Sequence, residues 1–215
     1  MAYRETEKVR NRKAATREQV LQCALVLVAQ SGFSGIQMTQ LAKQAKLATG
    51  TLYRYFPSKE SLFAEVFKRA TEIEVARVER ALQQTSGEAP DRIEEALRVF
   101  ARRALKAPNL AWALIAEPVQ AEVDQQRLEY RMRYARLFAD AIQQGIDEGS
   151  LPLQRSMLSS TAMVGAIAEA LIGPLAKVSR EMMVPANQQQ IIDDILRFCI
   201  HGILCSAERR QGAPL

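Results

Sequence analysis

Within ATGTLYRYFPSKESLF, residues 48 to 63, the side chains of Tyr53, Arg54, Tyr55 and Lys59 crowd four polar groups into seven positions. Phenols and a guanidinium donate hydrogen bonds in fixed directions, and a lysine adds a compact positive charge, so the set suits phosphate oxygens; Arg54 also matches a guanine edge. Thr49 and Thr51, just ahead, offer hydroxyls to base edges or a methyl to thymine. Gly50 between them carries no side chain and lets the backbone come close to a surface. These groups recognise rather than react. His201 is the only histidine, and no Gly-rich phosphate loop or G-x-S-x-G turn is present, so catalysis has little to work with. Cys23, Cys199 and Cys205 lack C-x-x-C spacing and with one histidine do not complete a four-ligand zinc site, so no metal and no cofactor are expected.

Charge distribution points the same way. Net charge is +5, yet residues 1–60 hold ten Lys/Arg against four Asp/Glu, whereas the remaining 155 hold nineteen against twenty. A basic module joined to a near-neutral one suggests that only the first part faces a polyanion such as nucleic acid. Arg10, Arg12 and Lys13 in RETEKVRNRK form a candidate arm for the minor groove or backbone. The start of the chain is charged and no uninterrupted apolar run approaches the ~18 residues of a membrane span, which predicts a cytoplasmic protein with no membrane partner.

The elements that must hold these groups read as helices throughout, since no alternating strand or hairpin signal appears. A T-x-x-Q capping box at Thr16 and Gln19 and a stop at Gly32 predict a first helix from Thr16 to Ser31. Its interior VLQCALVLVA is apolar nearly all round and must be wrapped by other helices. Short helices follow near Met38–Ala45 and Thr49–Tyr55. Ser58 caps a fourth towards Leu82, QQTSGEAP is the first long loop, and helices at 91–106, 109–117 and 122–148 come next. Two apolar helices close the chain, from Ser156 to a break at Gly173-Pro174, and from Asn187 to Arg209. Two short helices joined by a tight turn on an apolar first helix make a helix-turn-helix, with Leu47, Leu52 and Phe56 inward and the polar groups of the second short helix outward.

ATREQVLQCALVLVAQSGFSGIQMTQLAKQAKLATGTLYRYFPSKESLFAEVF closely resembles the DNA-binding domain of TetR-type (TetR/AcrR) transcriptional regulators, over about the first 60 to 70 residues. The resemblance implies an all-α fold of about nine helices: a basic arm at 1–13, a helix-turn-helix domain at 14–60, and a helical ligand-binding and dimerisation domain at 61–215. It implies base contacts from Thr39, Thr49, Thr51, Tyr53 and Arg54, with Gly50 close to the DNA and Tyr55 and Lys59 on phosphates. Lys46 stands where the family usually has a turn glycine and adds a phosphate contact; Ala48 and Gln37 stand where capping residues are common. A protein similar to these is a homodimeric repressor released from its double-stranded operator by a small hydrophobic effector.

For that effector the aromatic and soft residues Phe100, Trp112, Tyr130, Tyr134, Phe138, Met157 and Met163 are pocket candidates, together with Glu169, a lone charge in SMLSSTAMVGAIAEALIG that needs a partner such as Arg103, Arg131 or Arg136. The surplus apolar surface of the last two helices predicts a dimer interface at Ala162, Gly165, Ala166, Ile195, Phe198 and Cys199. A regulator with no small-molecule ligand, governed by a protein partner or by abundance, fits the same residues.

Overall fold

The computed structural model describes residues 7–177 and 186–205. Among them the chain forms nine helices and no strand: α1 Glu7–Ser31, α2 Met38–Gln44, α3 Thr49–Tyr55, α4 Lys59–Gln84, α5 Ala89–Lys106, α6 Pro108–Ile115, α7 Ala121–Asp147, α8 Ser156–Leu175 and α9 Ala186–Leu204. The all-helical expectation holds.

Boundaries differ where local chemistry was misread. α1 starts nine residues before Thr16, because EKVRNRK contains good helix formers and no breaker. Thr16 is therefore not a cap: its hydroxyl donates to the Arg12 carbonyl (3.0 Å), and Gln19 donates to Ala45 O (3.0 Å) across to the end of α2. Arg10, Arg12 and Lys13 lie on this helix rather than on a loose arm. α5 opens at Ala89, with Pro90 in its first turn and the Glu88 N–H bonded to Asp91 (3.2 Å). Pro174 sits in the last turn of α8, which ends at Leu175. The predicted last residue of α9, Arg209, lies outside the described residues. By length and composition α8 alone among the described helices is apolar enough to cross a membrane. It packs instead against α5, α6, α7 and α9.

One continuous core joins the helix-turn-helix to the rest. Val20, Ala24, Val28, Leu41, Leu52 and Phe56 close the α1–α3 cluster, and α4 carries the chain out of it. An aromatic column bridges the two regions: Phe33 lies 5.2 Å from Phe63 between ring centroids, and Phe67 lies 6.2 Å from Tyr130. Such offset and tilted pairs add about 0.5–1.5 kcal/mol beyond their burial. Across the same seam the Tyr130 hydroxyl and the Arg133 guanidinium both donate to Glu72, each at 2.7 Å, tying α7 to α4. These two bonds, the phenol's first, hold the Glu72 carboxyl below its ordinary range. Arg98 does the same for α5 and α9 through Asp193 (2.6 Å).

Candidate nucleic-acid interface and effector cavity

The turn between α2 and α3 is built from Ala45, Lys46, Leu47 and Ala48. Lys46 N–H donates to Lys43 O and Leu47 N–H to Ala42 O, closing α2 with a residue in left-handed conformation, and that residue is Lys46 itself at φ 55°. A lysine there costs about 1–2 kcal/mol that glycine would not. The starts of both short helices are equally plain, for neither Gln37 nor Ala48 makes a side-chain cap bond. Geometry is instead imposed from below, by Leu52 and Phe56, both at most 1% exposed.

On that platform α3 turns its other face outward. Gly50, Tyr53 and Arg54 are exposed, Thr49, Thr51 and Tyr55 half-buried at the edges, and Thr39 on α2 and Lys46 in the turn are exposed beside them. Lys59 follows in the first turn of α4, its ammonium 5.0 Å from the Phe63 ring centre. Ser58 caps that helix, accepting from Ser61 N–H (3.0 Å) while its own N–H donates to Ser61 Oγ (3.2 Å). None of the nine positions predicted for nucleic acid is buried, and Thr51, Arg54 and Tyr55 share one cleft.

Arg10 and Lys13, expected on an arm, act from α1, and Arg17 beside them was overlooked. Arg10, Lys13 and Arg17 line a cleft against Thr51, Arg54 and Tyr55, so α1 supplies a cationic wall beside α3. Arg17 is paired with Glu65 and lies 4.8 Å from the Phe56 ring centre, which fixes its aim. The helical spacing of positions 10, 13 and 17 carried the signal, once α1 is allowed to begin early enough.

A second feature lies in the bundle. A partly open cavity of about 100 Å³ is lined by residues of α4 to α8. Phe100, Tyr130, Tyr134 and Phe138 are in its wall, as expected, with Phe67, Leu97, Leu110, Leu114, Ile115 and Ile167. Four other candidates are elsewhere: Trp112, Met157, Met163 and Glu169 are not among the lining residues. Met157 and Glu169 are on the exposed face of α8, whereas Met163 is in the core. Periodicity marked the helix correctly but not which face met the cavity. Glu169 makes no bond to Arg103, Arg131 or Arg136 among the described residues; Arg103 clamps Glu74 through two nitrogens, one at 2.8 Å, and that pairing raises its pKa.

Three further polar groups edge the cavity. Arg127 donates to the carbonyls of Leu114 (3.2 Å) and Glu117 (2.7 Å) and to Asp124 (2.9 Å); burial outweighs these partners and lowers its pKa. Arg131, one turn on, is exposed. Tyr134 is 9% exposed, its phenol pushed up by burial, and its hydroxyl has no hydrogen-bond partner among the described residues.

The outer face of α8 and α9 carries Ala162, Gly165, Leu158 and Phe198 open to solvent, Phe198 at 71%. Ala166 is half-buried. Ile195 and Cys199, proposed for the same interface, are turned into the chain's own core at 9% and 3% exposure, and burial pushes the Cys199 thiol up to about 11. Ile195 and Cys199 fill the seam against α5 and α8, while Phe198, and Leu204 at the helix end, are left projecting.

Residues 20–66 match the model of the family described as bacterial regulatory proteins, tetR family. Over that segment the chain is similar to TetR-family regulators. The match covers α2 and α3 entirely and about the second half of α1, ending inside α4. Among curated relatives, the HTH-type transcriptional repressor KstR of Rhodococcus jostii is 30% identical over 137 residues, 60% of this chain and 63% of that protein. The fatty acid metabolism regulator protein of Bacillus subtilis is 26% identical over 140 residues, 62% of this chain and 69% of the relative. The chain therefore spans somewhat under two thirds of the length of KstR. In architecture it is similar to the FadR transcriptional regulator of Bacillus subtilis in complex with stearoyl-CoA, with a TM-score of 0.71 at 22% identity over 86% of this chain and 98% of that one. That likeness carries the fold.

Proposed function

We propose that this chain is a TetR-type regulator, a cytoplasmic, homodimeric repressor that binds a double-stranded operator and is released from it by a small hydrophobic effector. The observation that carries the reading is α3: a short helix with a buried apolar underside and an exposed Gly50, Tyr53, Arg54 face, walled by the cations of α1. In the dimer two such helices enter successive major grooves about 34–36 Å apart. Thr39, Thr49, Thr51, Tyr53 and Arg54 read bases, Gly50 brings the backbone close, and Lys46, Tyr55 and Lys59 hold phosphates, with Arg10, Lys13 and Arg17 adding charge. The division at about residue 60 separates this reading head from the effector and dimerisation region.

The second half of the reading rests on the cavity. Its wall is mostly apolar; of its buried hydroxyls those of Thr71 and Tyr130 are bonded within the chain and that of Tyr134 has no such partner among the described residues, and arginines stand at its edge, which suits an apolar chain bearing a hydrogen-bond acceptor. The relatives named for fatty acid metabolism and the stearoyl-CoA complex of FadR support an acyl compound as that effector. The cavity is smaller than the ~300–1,000 Å³ of ordinary ligand sites, so an occupant must spread its walls.

The test is operator selection from a random-sequence duplex pool, followed by titration of the bound complex with stearoyl-CoA and shorter acyl-CoAs. Enrichment of a two-fold symmetric sequence that acyl-CoA releases is the expected result; no enriched sequence would end the proposal. Enrichment with no release by any acyl compound would favour a regulator without a small-molecule ligand.

A further inference from the structure

Glu117, in the connection between α6 and α7, is 4% exposed, and the hydrogen bonds of its carboxylate go neither to the predicted DNA-facing residues nor to the cavity wall. Its carboxylate reaches into the other half of the molecule. Oε2 accepts from the Phe33 N–H at 2.9 Å and Oε1 from the Ser34 N–H at 2.8 Å, both in the turn that leaves α1 for α2. The turn is shaped to receive it. Gly32 adopts φ +73°, and a Cβ there would meet Glu117 Oε2 at 2.7 Å, so the absence of a side chain is what lets the carboxylate sit over the turn. Buried backbone N–H groups are nearly always paired, and here the partner is a side chain 83 or 84 residues away in sequence.

At its opposite end α6 is also fastened to α1. Asn109 donates to the Gln30 carbonyl at 2.8 Å, the last stretch of α1 before the same turn. Between those two fastenings α6 presents Leu110, Ala111, Leu114 and Ile115 to the cavity. Arg127, itself in the cavity wall, holds the end of α6 by its bonds to Leu114 O and Glu117 O. An occupant that spreads the walls of so small a space moves a helix whose two ends hold the base of the reading head.

We infer that Glu117 is a positioning residue that couples cavity occupancy to the reading helix, through its two-pronged bond to the α1–α2 turn. The inference rests on the regulatory reading above and adds the route by which that regulation travels. Ionic capture of two backbone donors is directional, so a shift of α6 is passed to Phe33 and Ser34 rather than absorbed by sliding apolar contacts. Without the carboxylate the reading head stays folded on its own core, and the two sites lose their coupling.

The experiment is a double-mutant cycle on the full-length protein, with operator binding as the readout and an internal cavity filler as the occupant. Ala104→Leu in α5 and, separately, Ala168→Leu in α8 add volume inside the cavity from walls other than α6. Each is measured alone and with Glu117→Gln, which keeps the shape but turns an amide N–H against one of the two donors. Thermal melting accompanies every variant. Should Glu117→Gln fail to fold, Glu117→Asp replaces it, retaining charge but falling short of both N–H groups. A filler is expected to change the operator Kd by about tenfold or more with Glu117 present, and by less than about twofold in its absence, at unchanged cooperativity of melting. Equal fold-changes in both backgrounds, or a filler without effect on operator binding in the native background, would overturn the inference. Loss of all operator binding by the native protein would instead sink the regulatory reading itself, so the two failures are distinguishable.

Discussion

Gly50→Ala separates folding from recognition more cleanly than any other single change. Gly50 is the second residue of α3, is exposed, and has nothing within 4 Å of the place where a Cβ would stand. Within the chain, then, the methyl costs no packing, and alanine is the better helix former by about 0.8–1.0 kcal/mol in a helix interior, somewhat less near an end. For a protein of this size that gain is worth about 1–4 °C in Tm. At the DNA the same methyl stands between backbone and groove. If α3 must back away and weaken one good base contact per subunit, each half-site loses about 1–3 kcal/mol, a factor of roughly 5 to 150. Differential scanning fluorimetry and fluorescence anisotropy on the selected duplex, with a scrambled duplex as control, give both numbers from one preparation. A rise in Tm with a selective loss of operator affinity is expected. Unchanged operator affinity with a raised Tm would show that the Gly50 backbone does not approach the groove, and a lowered Tm would show that the glycine serves the fold.

The turn and the outward face give further tests. Lys46→Gly relieves the left-handed lysine at φ 55° and should raise stability in chemical denaturation by up to about 1 kcal/mol, part of the strain being offset by glycine's greater freedom in the unfolded chain. Arg54→Ala should cost about 1–3 kcal/mol and relax base preference at one position, whereas Lys59→Ala should weaken operator and scrambled duplex alike and reduce the salt slope by about one; anisotropy at several salt concentrations separates the two. For the dimer, Phe198→Asp on the exposed side of α9 should yield monomers in ultracentrifugation, while Leu52→Ala, in the fully buried underside of α3, should lose about 2–5 kcal/mol of stability. Glu72 predicts an acid limb. Its folded pKa lies below the ordinary 4.5, so its contribution is present above that value and disappears as pH falls through the lowered one. Tyr130→Phe removes the largest cause and should flatten that part of the stability profile, measured by urea unfolding between about pH 5 and 3.

By itself the sequence determined what local chemistry and periodicity can encode. The bounds of α3 at Thr49 and Tyr55, the Ser58 cap of α4, the inward Leu52 and Phe56 and the outward Arg54 all follow from spacing within a turn or two of helix. Position 46 announced a departure from the usual glycine, and the backbone indeed pays no attention to residue type there: the turn keeps its left-handed shape because α2 and α3 are each pinned to α1. Tertiary structure alone decided what depends on elements distant in the chain. A helix with apolar residues on several faces does not say which face meets a cavity, so Phe100 and Tyr134 fell in the wall while Met163 fell in the core and Met157 on the surface. Cys199 and Ile195 likewise look the same in sequence as Phe198, yet a rotation of about 100° per residue sends two inward and one out. Glu117 was passed over entirely, a carboxylate in a short connection with no neighbours of note. Its meaning comes from two backbone N–H groups more than eighty residues earlier, and only a folded chain brings a side chain and a distant turn to 2.8 Å.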